Sequence, residues 1–168
     1  MRTEIRRLAT FGMLMGGLLG TGLMAPVSAA GTMQVGGDAE YDTTVCDSPP
    51  EGFAHYPGLR LTGSLEGCLY TGVPDSRSTP SGGYIETGHE MFVGSLNGGA
   101  TGTFTTNYRF QGKYEVPDFT VEIHGRCQHP IAAGSGTGGF EGATGRLDFK
   151  DFIGDTVTYV YRGHIKFG

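Results

Sequence analysis

Side chains suited to acid–base chemistry lie on two segments that alternate like β-strands, Tyr84–Leu96 and Phe119–Ile131. The candidates for proton transfer are Glu86, His89, Glu90 and His129. Carboxylates and imidazoles are common general acids and bases in enzymes. Residues an odd number apart on a strand point to opposite faces, so His89 and His129 face inward if the apolar face of each strand does. Glu86 and Glu90 then fall on the other face of their strand.

Four tyrosines and one aspartate would join the inward histidines. These candidate ligand-binding residues are Tyr108, Tyr114, Tyr159, Tyr161 and Asp151. A cavity lined by tyrosines, a histidine and an acid could bind a polar small molecule or move a proton. The alternative is that the same groups are rim or core polar residues satisfied by their neighbours. The sequence leaves both interpretations open.

Metal and nucleotide sites are not indicated. His124 and His129 are five residues apart, so they point to opposite faces of a regular strand, and no Cys-x-x-Cys pair supports a zinc site. The spacing Gly134-x-Gly136-x-x-Gly139 matches the letters of a dinucleotide fingerprint, but no helix-forming run follows it. We therefore predict neither a metal nor a cofactor, and a tight β connection at the glycines.

The N-terminus has the pattern of an export signal. Arg2, Arg6 and Arg7 precede the apolar run 8–23, and Val27-Ser28-Ala29 offers small residues for cleavage. The sequence predicts a signal peptide over 1–30 and a secreted, extracellular protein with no membrane span in its mature form. An N-terminal membrane anchor is the alternative, and Arg6-Arg7 leaves the twin-arginine route open beside the general one.

The mature chain predicted from this cleavage is acidic. Removal of 1–30 takes away three arginines and one glutamate, which leaves 9 basic and 16 acidic residues and a net charge of −7. Nucleic-acid binding needs clustered lysine and arginine, so this balance argues against a nucleic-acid partner. The length suits one domain, 31–168, with an N-terminal strand and irregular segment over 31–57 and a barrel core over 58–168.

Three cysteines remain after cleavage, which allows one disulfide and one free thiol. Export to an oxidising environment favours the bond. Cys68–Cys127 is the preferred pairing, because both residues lie in strand-like runs. Cys68 falls on the polar face of its strand and Cys127 on an apolar face, however, so Cys46–Cys68 remains the alternative.

Period-two alternation dominates the rest of the chain, and no segment shows a helical apolar period. Strands are predicted at Met33–Tyr41, Leu59–Val73, Tyr84–Leu96, Thr101–Val116, Phe119–Ile131, Arg146–Ile153 and Thr156–Phe167, with a polar loop over 74–82. Asn97-Gly98-Gly99 marks a hairpin turn. Closing such a sheet removes its exposed edges, so we predict an all-β fold, a closed antiparallel barrel of about eight strands with meander topology. A two-sheet sandwich is the alternative.

The glycine-rich run GTGGFEGATG at 136–145, followed by Leu147-Asp148-Phe149, carries a resemblance. It resembles the turn of allene oxide cyclase-like and dirigent-like barrels, in which GTGxFxGAxG precedes a strand near the end of the barrel. With GCLY at 67–70 and GRCQHPI at 125–131, the chain is most similar to small secreted bacterial proteins of that type.

The resemblance implies an eight-stranded antiparallel barrel, often oligomeric, with an axial cavity. Plant cyclases of this type bind a fatty-acid epoxide without a cofactor, and dirigent proteins steer the coupling of phenolic radicals. The catalytic residues of the cyclases cannot be matched to positions here, so that activity is not carried over.

Three functions remain after these exclusions. The first is a secreted barrel that binds a small, partly apolar or phenolic ligand. The second is a cofactor-free isomerase or cyclase that uses the acid–base candidates above. The third is an extracellular protein-interaction module. A titratable group buried in a pocket would favour the second, and a flat apolar surface would favour the third.

Overall fold

The structure, a computed structural model, describes residues 31–72, 74–152 and 157–168. Within these ranges the fold is all-β, as predicted. The ten strands are β1 (Gly31–Tyr41), β2 (Leu59–Gly63), β3 (Leu65–Thr71), β4 (Asp75–Ser78), β5 (Gly83–Leu96), β6 (Thr101–Tyr114), β7 (Glu122–Ile131), β8 (Thr137–Gly138), β9 (Ala143–Phe152) and β10 (Thr158–Phe167). The predicted signal peptide and the turn at Gly154-Asp155 lie outside the described residues.

Eight of these strands close into an antiparallel barrel. The order around it is β1, β2, β3, β5, β6, β7, β9 and β10, which returns to β1. Neighbours in the sheet are therefore neighbours along the chain, and the predicted meander barrel is confirmed. The two short strands extend the wall: β4 pairs with the first half of β5, and β8 pairs with the start of β6.

Two predicted segments have a different structure. The run Leu59–Val73 was expected to form one strand, but the chain turns at Gly63, where φ is 102°, a value that favours glycine. β2 and β3 therefore pair with each other as a hairpin. The predicted polar loop 74–82 contains β4, because its backbone completes hydrogen bonds that β5 would otherwise leave open beyond the end of β3.

One half of the barrel interior is packed solid. Phe92, Phe104 and Phe140 are fully buried against one another, with ring centroids 5.0–5.6 Å apart. Phe140 comes from the glycine-rich connection between β7 and β9, which therefore delivers a core residue as well as a turn. Tyr161 belongs to the same half and is 1% exposed.

The disulfide joins Cys46 to Cys68, and Cys127 is a free thiol. The preferred pairing of Cys68 with Cys127 is therefore wrong, and the alternative pairing is the one present. The pairing follows from the alternation of side chains between the two faces of a strand. Cys68 points outward and packs with Cys46, Tyr70 and Phe53 under the segment between β1 and β2, whereas Cys127 lines the barrel interior.

Removing the disulfide is expected to destabilise the fold. The Cys46→Ser/Cys68→Ser variant should lose ~3 kcal/mol of unfolding free energy, because the bond closes a loop with a sequence separation of 22 residues. Urea unfolding with and without reductant measures the loss. Wild type and Cys127→Ala should both be weakened by reductant, whereas the double variant should not respond. An equal response in all three would contradict the Cys46–Cys68 assignment.

Among the described residues, no helix is long and apolar enough to cross a membrane.

Candidate functional site

A cavity of about 500 Å³ occupies the other half of the barrel. The antiparallel pairing brings the C-terminal ends of β1, β3, β6 and β9 and the N-terminal ends of β2, β5, β7 and β10 to this half of the barrel. Its lining residues are Tyr41, Tyr56, Leu59, Leu69, Thr71, Ser78, Tyr84, Glu86, Glu90, Tyr108, Phe110, Tyr114, Phe119, Glu122, Cys127, His129, Phe149, Asp151 and Tyr159. The volume falls within the range of small-molecule sites.

Glu86 is the centre of the first polar cluster. Its carboxylate accepts hydrogen bonds from the hydroxyls of Tyr56 (2.9 Å), Tyr84 (2.6 Å) and Tyr108 (2.7 Å). The side chain is buried, at 7% exposure. Burial, followed by the bonds to Glu86, raises the pKa of Tyr56 and of Tyr108, so these phenols remain proton donors to the carboxylate.

Tyr56 reaches this cluster from outside the barrel strands. It lies in the irregular segment between β1 and β2, which the disulfide ties to β3. The N–H of His55 donates to the carbonyl of Thr71 at the end of β3, which anchors the segment beside the cavity. The sequence offered no signal for this placement, because the segment has neither strand alternation nor a fixed register to β5.

Glu90 and His129 form the second polar cluster. Nδ1 of His129 lies 2.5 Å from Oε2 of Glu90, which also accepts the hydroxyl of Thr106 at 2.9 Å. Both residues are buried, at 6% and 4% exposure. The imidazole lies between the rings of Tyr108 and Phe149, with centroids 5.9 and 4.5 Å away. Its other nitrogen, Nε2, is buried and has no hydrogen-bond partner among the described residues.

Glu122 and Asp151 form the third polar cluster. The hydroxyl of Tyr114 donates to Oε2 of Glu122 at 3.2 Å. Burial, and then the neighbouring carboxyl group of Asp151, raise the pKa of Glu122 from its ordinary value of 4.5 to about 7. Glu122 therefore keeps its proton to a higher pH than an ordinary glutamate does. Oε1 of Glu122 is buried and accepts no hydrogen bond from other described residues.

Glu122 faces the cavity because β7 is irregular. The register between β6 and β7 shifts at Lys113/Tyr114. Glu122 and Cys127 therefore both point inward, although they are an odd number of residues apart. The missing side chain of Gly125 makes room, since a Cβ there would collide with Oε1 of Glu122. Strict alternation along this segment would place Glu122 on the outer face, opposite His129, which is why Glu122 is absent from the candidates drawn from the sequence. The same shift leaves Val121 and Ile123, expected inside, about half exposed.

The sequence candidates are only partly brought together. Glu86, Glu90 and His129 line the cavity with Tyr108, Tyr114, Tyr159 and Asp151. His89 was expected inside, but it lies on the outer face of β5, edge-to-face with Phe53 at 5.1 Å. The expectation that the apolar face of β5 points inward is wrong, because the barrel interior at this end is polar and accommodates Glu86 and Glu90 instead.

Tyr161 does not line the cavity either. Its hydroxyl accepts the N–H of Leu65 at 2.8 Å and donates to the carbonyl of Thr62 at 3.1 Å, in the packed half of the barrel. It therefore satisfies the backbone at the β2–β3 turn.

Cys127 is poorly suited to act as a nucleophile. Burial, and then the charges of Glu90 and Glu86, raise the pKa of its thiol well above the ordinary range, and the thiolate is the reactive form. In residues 31–72, 74–152 and 157–168, no three histidine, cysteine or acidic side chains lie close enough to hold a metal ion.

The titration of Glu122 should be visible in the stability of the fold. Its pKa is higher in the folded state than in the unfolded chain, so the folded state holds more protons between pH 4.5 and about 7. Stability should therefore fall as pH rises across that window. Glu122→Gln should flatten this part of the pH profile in urea unfolding, whereas the exposed control Glu115→Gln should leave it unchanged. If the stability of Glu122→Gln still falls with pH across this window as steeply as that of wild type, the raised pKa does not belong to Glu122.

No protein-family model, curated protein or solved structure matches this chain, so the cavity itself carries the functional argument.

Proposed function

We propose that this barrel binds a small, partly apolar molecule in the cavity. The observation that carries the proposal is an interior of about 500 Å³ whose wall combines aromatic and aliphatic side chains with a few oriented polar groups. Such a composition is typical of ligand sites, since apolar surface supplies affinity and fixed polar groups supply orientation. The disulfide and the N-terminal signal pattern support export, with the barrel acting outside the cytosol.

The wall is built to orient a bound molecule. Leu59, Leu69, Phe110 and Phe149 supply apolar surface, which is worth ~25 cal/mol for each Å² removed from water. Glu86 accepts three hydroxyls at its two oxygens, which leaves about one of roughly four acceptor positions for a donor group of the ligand. The three tyrosines hold that carboxylate in place before a ligand arrives.

A neutral fluorescent probe tests ligand binding. N-phenylnaphthylamine should bind the wild-type barrel saturably and gain fluorescence, and it should raise the melting temperature. Leu59→Trp, which fills the cavity, should weaken binding by ~10-fold or more. The matched control Val93→Trp places the same side chain on the outer face of β5 and should bind as wild type does. Absence of saturable binding, or equal binding by Leu59→Trp, would overturn the proposal.

A second candidate function is cofactor-free proton transfer, as in an isomerase or cyclase. The observation that favours it is the buried pair of Glu90 and His129 in the same cavity as the Glu122–Asp151 pair. One pair can accept a proton from a bound substrate while the other returns one, which is the requirement for an isomerisation.

Proton exchange tests this second function without knowledge of the natural substrate. Ketones that bind the barrel would be incubated with it in heavy water, and loss of the hydrogens beside the carbonyl followed by NMR. Exchange faster than in buffer, reduced in Glu90→Gln but not in Glu115→Gln, is the expected result. Binding without any accelerated exchange would leave the barrel a binding protein only.

A further inference from the structure

The charge of the cavity wall is one-sided. Four carboxyl groups line the cavity, those of Glu86, Glu90, Glu122 and Asp151, and the lining includes no lysine or arginine. Buried charges in proteins are normally paired, because removing an ion from water is costly. The described part of the wall therefore holds more acidic side chains than cationic side chains that could pair with them.

The hydrogen bonds show which carboxyl groups lack a cationic partner. Glu86 is held by three tyrosine hydroxyls, which are neutral donors. Glu90 is next to His129, the one side chain of the wall that can become positive. Glu122 has one phenol donor and faces another carboxyl group, and its Oε1 is buried without a hydrogen-bond partner. Glu122 thus offers a buried acceptor oxygen that no described side chain uses.

Aromatic side chains line the cavity near the Glu122–Asp151 pair. Tyr84 and Tyr114 meet edge-to-face at 5.7 Å, and Phe119 lies 6.3 Å from Tyr114. On β10, Tyr159 is the cross-strand partner of Asp151 and meets Tyr41 edge-to-face at 5.8 Å. Aromatic rings beside an acidic group can help to bind an ammonium ion, because the faces of aromatic rings attract cations.

We infer that the ligand of this cavity is an organic cation, a protonated or quaternary amine on an apolar body. Its charged head would lie against Glu122 and Asp151 among the tyrosines, and its apolar part would extend towards Leu69 and Phe149. The inference rests on the proposed binding function and specifies its ligand class. A carboxylate ligand such as a fatty acid would meet charges of its own sign here, so the wall disfavours it.

A matched ligand series tests the inference. One naphthalene ring would carry a protonated aminomethyl, a hydroxymethyl or a carboxylate group, and each compound would be titrated into the wild-type protein by calorimetry, with the neutral probe N-phenylnaphthylamine as reference. The cation should bind ~10-fold or more tightly than the alcohol, and the carboxylate most weakly. Added salt should reduce the difference in affinity between the cation and the carboxylate.

The variant Glu122→Gln/Asp151→Asn checks that these two carboxyl groups supply the preference. It should reduce the advantage of the cation over the alcohol several-fold. Glu115→Gln is the control for an acid outside the cavity.

The outcomes separate the two proposals. If the alcohol binds as well as the cation, or the carboxylate binds best, the cation inference is wrong while ligand binding stands. If the cation keeps its full advantage in the double variant, the assigned position of the charged head is wrong. If neither the series nor the neutral probe binds, the proposed function is wrong and the inference with it.

Discussion

Replacing Phe140 with alanine is expected to lower the free energy of unfolding by ~3–5 kcal/mol. The side chain is fully buried between Phe92 and Phe104, at centroid distances of 5.6 and 5.0 Å. Truncation would leave a cavity among side chains that strands on both sides hold in place, so the site cannot collapse to fill it. Urea unfolding followed by circular dichroism measures the loss.

Two further substitutions keep this prediction testable. Phe140→Leu preserves much of the side-chain volume and should lower the free energy of unfolding by only ~1–1.5 kcal/mol. Its stability can therefore be measured even if the alanine variant does not fold. Phe152→Ala removes the same side chain from an exposed position on β9 and should change stability by ~0.5 kcal/mol or less. Equal losses in Phe140→Ala and Phe152→Ala would mean that the glycine-rich connection does not anchor the core.

Replacing His129 with leucine is expected to cost ~3–5 kcal/mol. The substitution removes the 2.5 Å partner of Glu90 and leaves that buried carboxyl group with only the hydroxyl of Thr106. Replacing both members, in Glu90→Leu/His129→Leu, removes the unpaired group as well, so the double variant should be less destabilised than the sum of the two single variants. A double-mutant cycle in urea unfolding measures this coupling.

The control for this cycle is His124→Leu, on the same strand but exposed. It should change stability by ~0.5 kcal/mol or less. Strict additivity of the Glu90 and His129 substitutions would show that the two side chains do not act as a pair, which would also remove the basis for their role in proton transfer.

Strand content and barrel closure could be predicted because they depend on local pattern. Alternation along Thr101–Val116 assigned Phe104 and Tyr108 to one face, and both are buried on the inner face of β6. The meander followed from short turns between successive strands, since antiparallel neighbours need only a few connecting residues. These features require no knowledge of what lies across the barrel.

The cavity wall could be predicted only in part, because polarity did not reveal which face pointed inward. A strand with glutamates on one face and Ile85, Met91 and Val93 on the other looks as though its apolar face is the buried one. In the barrel, Glu86 and Glu90 are inside because Tyr56, Tyr84, Tyr108, Thr106 and His129 satisfy them. All of these partners except Tyr84 come from three other segments, so the decision depends largely on contacts that no local window contains.

The all-β class, the meander barrel and the acid–base and tyrosine residues available to line it follow from the amino-acid sequence alone. The disulfide partner of Cys68, the outward position of His89 and the inward position of Glu122 follow only from the folded barrel. The position of Glu122 depends on a register shift, because a shift of one residue moves a side chain to the other face. Those of Cys68 and His89 depend on which face of their strand points into the barrel. Such shifts are set by pairing between strands, which is why the chemistry of the cavity appears only when the barrel is closed.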